Sequence, residues 1–446
     1  ILLTVLFYFC LPLIGADNKP LTKEESVRNP FPEATPQSQG IPSGVIDRLG
    51  ELVSGFVEAE EIVGAELLVI KNRRTVMHDV FGHDDRRGDK AIVKNTIYSI
   101  RSMTKPLTGV VAQMLIDDGA LKLADPVAKY LDFFDNKRSR GVTIEHLLTH
   151  RSGFPMKSAG TLWSNYSSYT NIQQVANYWG DYGPRLFTPG ERYHYADANV
   201  DTLGAVIELA KGKPTEALME KRLLKNLGMR DTIPLLREGD PRVERAAAKH
   251  AGGRGRWNQY WHWRGKPYFS FTMFAQGFYS TPIDYARFLG MVMDDGVVNG
   301  KRLLSKDAIA RILTPMSKTT MPTGFAGLGS SYGQLMHLYN KGDKVIAFGH
   351  SGSDGTYAWA WPAQDLMVLC FTQSRGSITM NRMESVIDSL LARPVLNQVR
   401  GNMIKKKLVG SYESETGRTP VKHAYLENGK VETYRNGKKG DDLNWK

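Results

Sequence analysis

Ser102 and Lys105 stand three residues apart in Ser102-Met103-Thr104-Lys105, a spacing that on a helix puts a hydroxyl and an amine on one face. A serine beside a group able to take its proton is an activated nucleophile, the chemistry of acyl transfer. Among all the serines of the chain, Ser102 alone has a lysine at this spacing. Upstream, Thr96-Ile97-Tyr98-Ser99-Ile100-Arg101 reads as a short β-rich run, and from Pro106 onward Leu107, Val110, Val111, Met114 and Leu115 recur at helical spacing. Ser102 is therefore expected at a helix start. The plainer alternative is an N-cap serine whose hydroxyl accepts a backbone N–H, with Lys105 solvated one turn later.

Two further segments weigh against that alternative. The turn signal Pro189-Gly190 leads into Glu191-Arg192-Tyr193-His194-Tyr195-Ala196-Asp197-Ala198-Asn199, and Phe348-Gly349-His350-Ser351-Gly352-Ser353-Asp354-Gly355-Thr356 comes much later. In this order, the three segments resemble the Ser-x-x-Lys, Tyr-x-Asn and Lys-Thr-Gly motifs of serine β-lactamases and penicillin-binding proteins. The resemblance is to the branch in which tyrosine leads the second motif: class C β-lactamases, D-alanyl-D-alanine carboxypeptidases and family VIII carboxylesterases. Thr143-Ile144-Glu145-His146-Leu147-Leu148-Thr149-His150-Arg151-Ser152-Gly153 is similar to that family's segment after the nucleophile helix, and Gly277-Phe278-Tyr279-Ser280-Thr281-Pro282-Ile283-Asp284 to a later helix start. The likeness spans about residues 36 to 395. It implies an α+β fold in which an antiparallel sheet is flanked by helices and joined to a mainly helical subdomain.

The departures from those motifs bear on function. Asp197 stands where the second motif has asparagine, and His350 where the third has lysine. An ionised Asp197 beside Lys105 favours the ammonium and opposes a neutral-lysine base. Attention then shifts to Tyr195, whose phenolate a nearby cation would stabilise, ready to take the Ser102 proton and return it to the leaving group. Which of Lys105 and Tyr195 is the base stays open at this point. By the resemblance, His350, Ser351 and Gly352 lie on an edge strand beside the site, with Gly352 letting an acyl group approach closely. The backbone N–H groups of Ser102 and Ser353 are then expected to form the oxyanion hole. A histidine, mostly neutral near pH 7, offers a hydrogen bond where lysine offers a permanent charge, so substrates without a carboxylate are favoured. Histidine-led third motifs also occur among the family's carboxypeptidases.

Other chemistries find less support. Gly329-Ser330-Ser331-Tyr332-Gly333 fits the Gly-x-Ser-x-Gly elbow formally, but the residues after it read as a strand and turn where that motif needs a helix. No His-Glu-x-x-His occurs, Cys10 and Cys370 lie far apart, and no Gly-x-Gly-x-x-Gly follows a strand, so neither a metal nor a nucleotide cofactor is indicated. The formal charge of +12 invites a nucleic-acid partner, yet the Lys and Arg residues are dispersed without any recognition motif. The charge is read instead as solubility, or as attraction to anionic envelope surfaces.

The remaining chain must position these residues. Ile1 to Ala16 is almost wholly apolar, shorter than a membrane span, and followed by polar residues, which reads as the core of a secretory signal peptide cut after Ala16. An uncleaved anchor is the alternative. Residues 17–40 read as a linker and 41–395 as the catalytic domain. Ile46, Leu49, Val53 and Phe56 form a helical stripe, and Ala65–Ile70 with Thr75–Val80 predicts a hairpin around Asn72-Arg73-Arg74. Leu366 to Phe371 looks like a buried strand. Between Pro234 and Ser270, Trp257, Tyr260, Trp261, Trp263 and Tyr268 suggest an aromatic loop lining a binding site, or one packed for structural reasons. Residues 401–446, with Asn428-Gly429 and Asn436-Gly437, read as a partial β module. The expected activity is a secreted or periplasmic serine hydrolase acting on carboxylic esters. The alternatives are a β-lactamase or D-alanyl-D-alanine carboxypeptidase acting on β-lactams or peptidoglycan peptides, and a non-catalytic binding relative.

Overall fold

The structure, a computed structural model, describes residues 30–84, 90–156, 169–253, 255–319, 325, 327–376 and 379–393, together with the β segments 408–412, 421–425, 431–435 and 438–439. The expected leader, the linker up to residue 29 and both Asn-Gly turns lie outside the described residues.

Eight antiparallel strands make the main sheet: β1 (Gly64–Lys71), β2 (Arg74–Gly82), β3 (Ser317–Lys318), β4 (Gly329–Tyr332), β5 (His337–Lys341), β6 (Lys344–Gly352), β7 (Thr356–Trp361) and β8 (Leu366–Thr372). Their order is β2-β1-β8-β7-β6-β5-β4-β3, so the first hairpin joins the last strand, in register from Ala65 opposite Thr372 to Lys71 opposite Leu366. The β1–β2 turn is Asn72-Arg73, both in the left-handed region at φ 51° and 59°, as a two-residue hairpin of this hand requires. Arg73 is anchored there by Asp294 at 2.7 Å and Asp365 at 2.9 Å.

Every residue of β1 and β8 is buried because both faces of the sheet are covered. Strand alternation divides the core. Leu67, Val69, Val368 and Cys370 pack with Leu49, Val53 and Phe56 of α1 (Val45–Glu58), the stripe read from the sequence. Leu68, Ile70, Met367 and Leu369 face the larger core with α2 (Thr104–Asp117), α3 (Asp197–Lys211) and α4 (Pro282–Met293). Helix α2 is buried from Thr104 through Leu115, so it runs through the core and holds what precedes it rigidly.

Three expectations change. The linker reading fails from residue 30 onward: Phe31 is in the core, and Pro32 O and Ala34 N–H bond the backbone of Thr75. The aromatic stretch is largely a hairpin, Lys249–Gly253 with Arg256–Trp261, extended in parallel by Ser374–Arg375 into a small sheet. Strand β6 is interior, between β5 and β7. Its pairing with β5 ends at His337 opposite Gly349, however, so His350, Ser351 and Gly352 run past their neighbour and are edge-like on that side alone. The four C-terminal β segments pair in sequence as an antiparallel meander.

Candidate active site

The backbone turns sharply just before α2. A single 3₁₀ turn, Arg101–Met103, carries half-buried Ser102, and Ile100 N–H bonds Phe278 O at 3.0 Å while Phe278 N–H bonds Thr104 Oγ1 at 3.2 Å. The Tyr285 hydroxyl donates to Met103 O at 3.0 Å. Ser102 is thus held between α2 and the 274–278 segment. That segment lies so close to α3 that a Cβ on Gly204 would stand 2.1 Å from the Phe274 ring.

Lys105 is fully buried, one turn inside. Its ammonium donates to Ser102 Oγ at 3.2 Å, Asp197 Oδ1 at 2.6 Å and Ala275 O at 2.9 Å, using all three protons. Burial works against this charge, but the Asp197 carboxylate and Tyr195 outweigh it and hold the ammonium well above the ordinary lysine range. Asp197 opens α3, where a carboxylate suits the helix dipole. Asn199, two residues on, turns away and donates to His150 Nδ1 at 3.1 Å. Asp197, not Asn199, therefore occupies the lysine-facing place of the second motif.

Tyr195 is half-buried with Lys105 Nζ 4.7 Å from its ring centre. Burial pushes the phenol up; Lys105 and hydrogen bonding with Ser102 pull the other way without cancelling it. The resting tyrosine is a neutral phenol, so the phenolate anticipated from Lys105 alone is a minor species. Asp201, one turn beyond Asp197, accepts the Ala275 N–H at 2.9 Å. Burial and the neighbouring Asp197 push its carboxyl up to about 7.

His350 is buried and both its nitrogens are engaged. Nδ1 lies 2.7 Å from Ser351 O, a pure acceptor, so Nδ1 carries the proton and Nε2 accepts from the Tyr332 hydroxyl at 2.9 Å. Burial, and then the charge of Lys105, holds the ring well below the usual histidine range. The expected hydrogen-bond donor to substrate is thus committed to the protein's own backbone.

Ser351 is half-buried at the strand end. A Cβ on Gly352 would meet Thr356 Oγ1 at 2.3 Å and Ile100 O at 2.4 Å. The protein's own packing, and not only room for an acyl group, demands glycine there. That contact sets the end of β6 against the nucleophile turn. Exposed Ser353 follows in a turn closed by Gly355 N–H to Gly352 O at 2.9 Å, after the last β6–β7 pair.

Several residues here escaped the sequence reading. Asp201 was detectable as an acidic residue four positions from Asp197 on one helix face. Buried His150 accepts from Ala196 N–H and Asn199, and its ring lies 4.7 Å from that of Tyr195. Arg101 and Asp354 flank Ser102 and Ser353 and pair at 2.7 Å; only the fold joins them. Tyr332 belongs to the discarded elbow segment, which is strand β4.

A fully buried lysine facing a serine hydroxyl, a tyrosine ring and a carboxylate is an arrangement chemically able to support acyl transfer, and the chain is similar in sequence and fold to known proteins. The chain is 29% identical to Esterase EstB of Burkholderia gladioli over 202 residues, 41% of this chain and 50% of that one. It is 25% identical to Protein Rv1367c of Mycobacterium tuberculosis (strain ATCC 25618 / H37Rv) over 370 residues, 74% of this chain and 90% of that one. Among solved structures, the octameric penicillin-binding protein homologue from Pyrococcus abyssi superposes with a TM-score of 0.66 at 20% identity, covering 88% of this chain and 94% of that one. The Beta-lactamase family model matches residues 49–391, and the chain belongs to that family of serine hydrolases, which includes esterases, β-lactamases and D-alanyl-D-alanine carboxypeptidases.

Proposed function

We propose that the chain hydrolyses small carboxylic esters through an acyl-enzyme on Ser102. The observation that carries this reading is a division of labour. Lys105 gathers Ser102, Asp197 and Ala275 O at one ammonium, while the third-motif position holds a neutral, fully bonded histidine with no permanent cation for a substrate carboxylate. The similarity to Esterase EstB supports the same substrate class.

In the first step Ser102 Oγ attacks the ester carbonyl carbon and its proton passes to the Tyr195 phenolate, the minor form that Lys105 stabilises. The carbonyl π pair moves onto oxygen, which the N–H groups of Ser102 and Ser353 receive. Collapse expels the alkoxide, and Tyr195 returns the proton to it as alcohol. Water then attacks the acyl carbon and gives a proton to the regenerated Tyr195 phenolate. Collapse breaks the bond between Ser102 Oγ and the acyl carbon, Tyr195 returns the proton to Oγ, and the carboxylic acid leaves. Lys105 keeps its charge throughout, consistent with an ammonium held above its ordinary range.

A panel of p-nitrophenyl acetate and butyrate, a chromogenic cephalosporin and a D-alanyl-D-alanine peptide on one purified sample tests the reading. Ester turnover should exceed the others by at least about 10-fold in kcat/KM, equivalent to about 1.4 kcal/mol of differential transition-state binding. Faster cephalosporin or peptide cleavage assigns the chain to the other branches. Secretion is part of the proposal and rests on the apolar run Ile1 to Ala16. Expressed behind an initiating methionine and a basic n-region, the protein should leave the cytoplasm with a new amino terminus near Asp17.

A further inference from the structure

Arg101 and Asp354 are the residues next to the two backbone amides assigned to the oxyanion hole, Arg101 before Ser102 and Asp354 after Ser353. They lie 253 residues apart in sequence, yet Arg101 Nε meets Asp354 Oδ2 at 2.7 Å with both side chains buried. Arg101 also has φ 45°, a left-handed conformation that a bulky side chain adopts only when its surroundings impose it.

The surroundings are specific. Tyr260, on the aromatic hairpin, accepts from Arg101 Nη2 at 3.0 Å and donates to Asp354 Oδ1 at 2.9 Å, so one hydroxyl bridges both ions. The guanidinium lies 4.8 Å from the Tyr268 ring centre and 5.8 Å from that of Phe269. Two other bases are near Asp354: Arg375 forms a longer ion pair with it at 3.6 Å, and Lys249 is buried among the Trp261, Tyr268 and Tyr279 rings with no hydrogen-bond partner among the described residues. On the strand side, Asp354 O accepts the Ser374 N–H at 2.8 Å.

Resting on the acyl-enzyme reading, we propose that Arg101, Asp354 and Tyr260 are positioning residues that fix the separation and direction of the Ser102 and Ser353 N–H groups. The ion pair ties the nucleophile turn to the β6–β7 turn at the two points where the oxyanion donors leave them, and the hairpin locks the pair from outside. None of the three touches the substrate. They act through the backbone, and their effect is confined to the species carrying negative charge on the carbonyl oxygen.

The test is Tyr260→Phe, which removes one hydroxyl and keeps the ring, with Asp354→Asn as a stronger variant. For each folded protein, kcat and KM for p-nitrophenyl butyrate are measured beside the inhibition constant of a boronic acid that forms a tetrahedral adduct on serine. Tyr260→Phe should lower kcat by about 10-fold with KM within about twofold, and weaken the boronate by a similar factor, because small misplacements of transition-state donors cost rate and not ground-state binding. Unchanged kcat and boronate affinity in folded Tyr260→Phe would overturn the proposal even if Asp354→Asn fails to fold. So would a loss that appears in KM alone. Failure of the underlying reading shows separately, as a parent protein that neither hydrolyses the esters nor binds the boronate, and the proposal falls with it.

Discussion

Two buried salt bridges stand on either side of Ser102, and they differ in what each cation can do. Lys105–Asp197 lies on the helix side at 2.6 Å, its ammonium also touching the serine hydroxyl, and its carboxylate on the rim of the site with 11% of the side chain exposed. Arg101–Asp354 lies on the strand side at 2.7 Å, with 0% and 1% exposed, walled by aromatic rings, the guanidinium bonding Asp354 and Tyr260. A lysine deprived of its partner can shed a proton; an arginine cannot. On the proposed reading, the same kind of contact holds a charge against Ser102 and Tyr195 on one side of the serine and fixes backbone geometry on the other.

Removing the chemical cation should produce the largest effect. Lys105→Met is expected to cost on the order of 10⁴ in kcat for an ester substrate, because groups that act as a unit fail together. Circular dichroism and the thermal midpoint check that the fold survives; turnover within about 10-fold of the parent would break the contrast.

Neutralising each carboxylate sharpens it. Asp354→Asn leaves a guanidinium buried without a counterion and should destabilise by about 3–5 kcal/mol in urea unfolding. Asp197→Asn should cost much less stability, since Lys105 loses the neighbour that raises its pKa and can become neutral. If neutral Lys105 is the required base, the acidic limb of the ester pH profile then moves to lower pH. Asp197 also raises the Tyr195 phenol, so the limb moves the same way on the phenolate route, and Tyr195→Phe separates the two: it abolishes turnover if the phenolate is the base. Equal destabilisation by the two asparagine variants would erase the distinction between the pairs.

Asp201 gives a smaller, pH-dependent effect. Its carboxyl is pushed up to about 7 by burial and by Asp197, so the folded state favours the protonated form. That contribution is fully present below the ordinary carboxyl range near pH 4 and is lost as pH rises through about 7. Thermal midpoints should fall between pH 5 and pH 8, and Asp201→Asn should flatten that slope. A parent slope unaltered in Asp201→Asn would contradict the assignment.

The smallest effect is expected at Tyr332→Phe. It strips the hydroxyl that donates to His350 Nε2, leaving a buried acceptor unpaired for about 1–3 kcal/mol, with turnover changed by no more than about threefold. A large loss of turnover with stability intact would show that His350 acts on the substrate after all.

What the sequence revealed follows the range of each interaction. The α1 stripe, the β1–β2 hairpin, the buried β8 strand and the start of α2 depend on neighbours within one element, and their spacing alone exposed them. Ser102, Lys105, Tyr195 and Asp197 were legible because motif order stands in for the fold, and the structure brings all four together. The engagement of His350 depends on a strand eighteen residues earlier, and Gly352 answers to Ile100 O across the molecule. Neither contact leaves a periodic trace. The Arg101–Asp354 pair was hidden most completely: each residue adjoins a motif, but nothing local tells a buried partner from an ordinary surface charge. The aromatic stretch was visible as unusual composition, while its role depended on knowing that Tyr260 bridges that pair.

The most direct measurement is mass spectrometry of the protein after reaction with a fluorophosphonate, with and without prior incubation with p-nitrophenyl butyrate. The account predicts one adduct per chain, on the peptide carrying Ser102, slowed by the ester and absent from Ser102→Ala, whose ester turnover should fall on the order of 10⁴ to 10⁶. An adduct on Ser331, or undiminished turnover in Ser102→Ala, would contradict it.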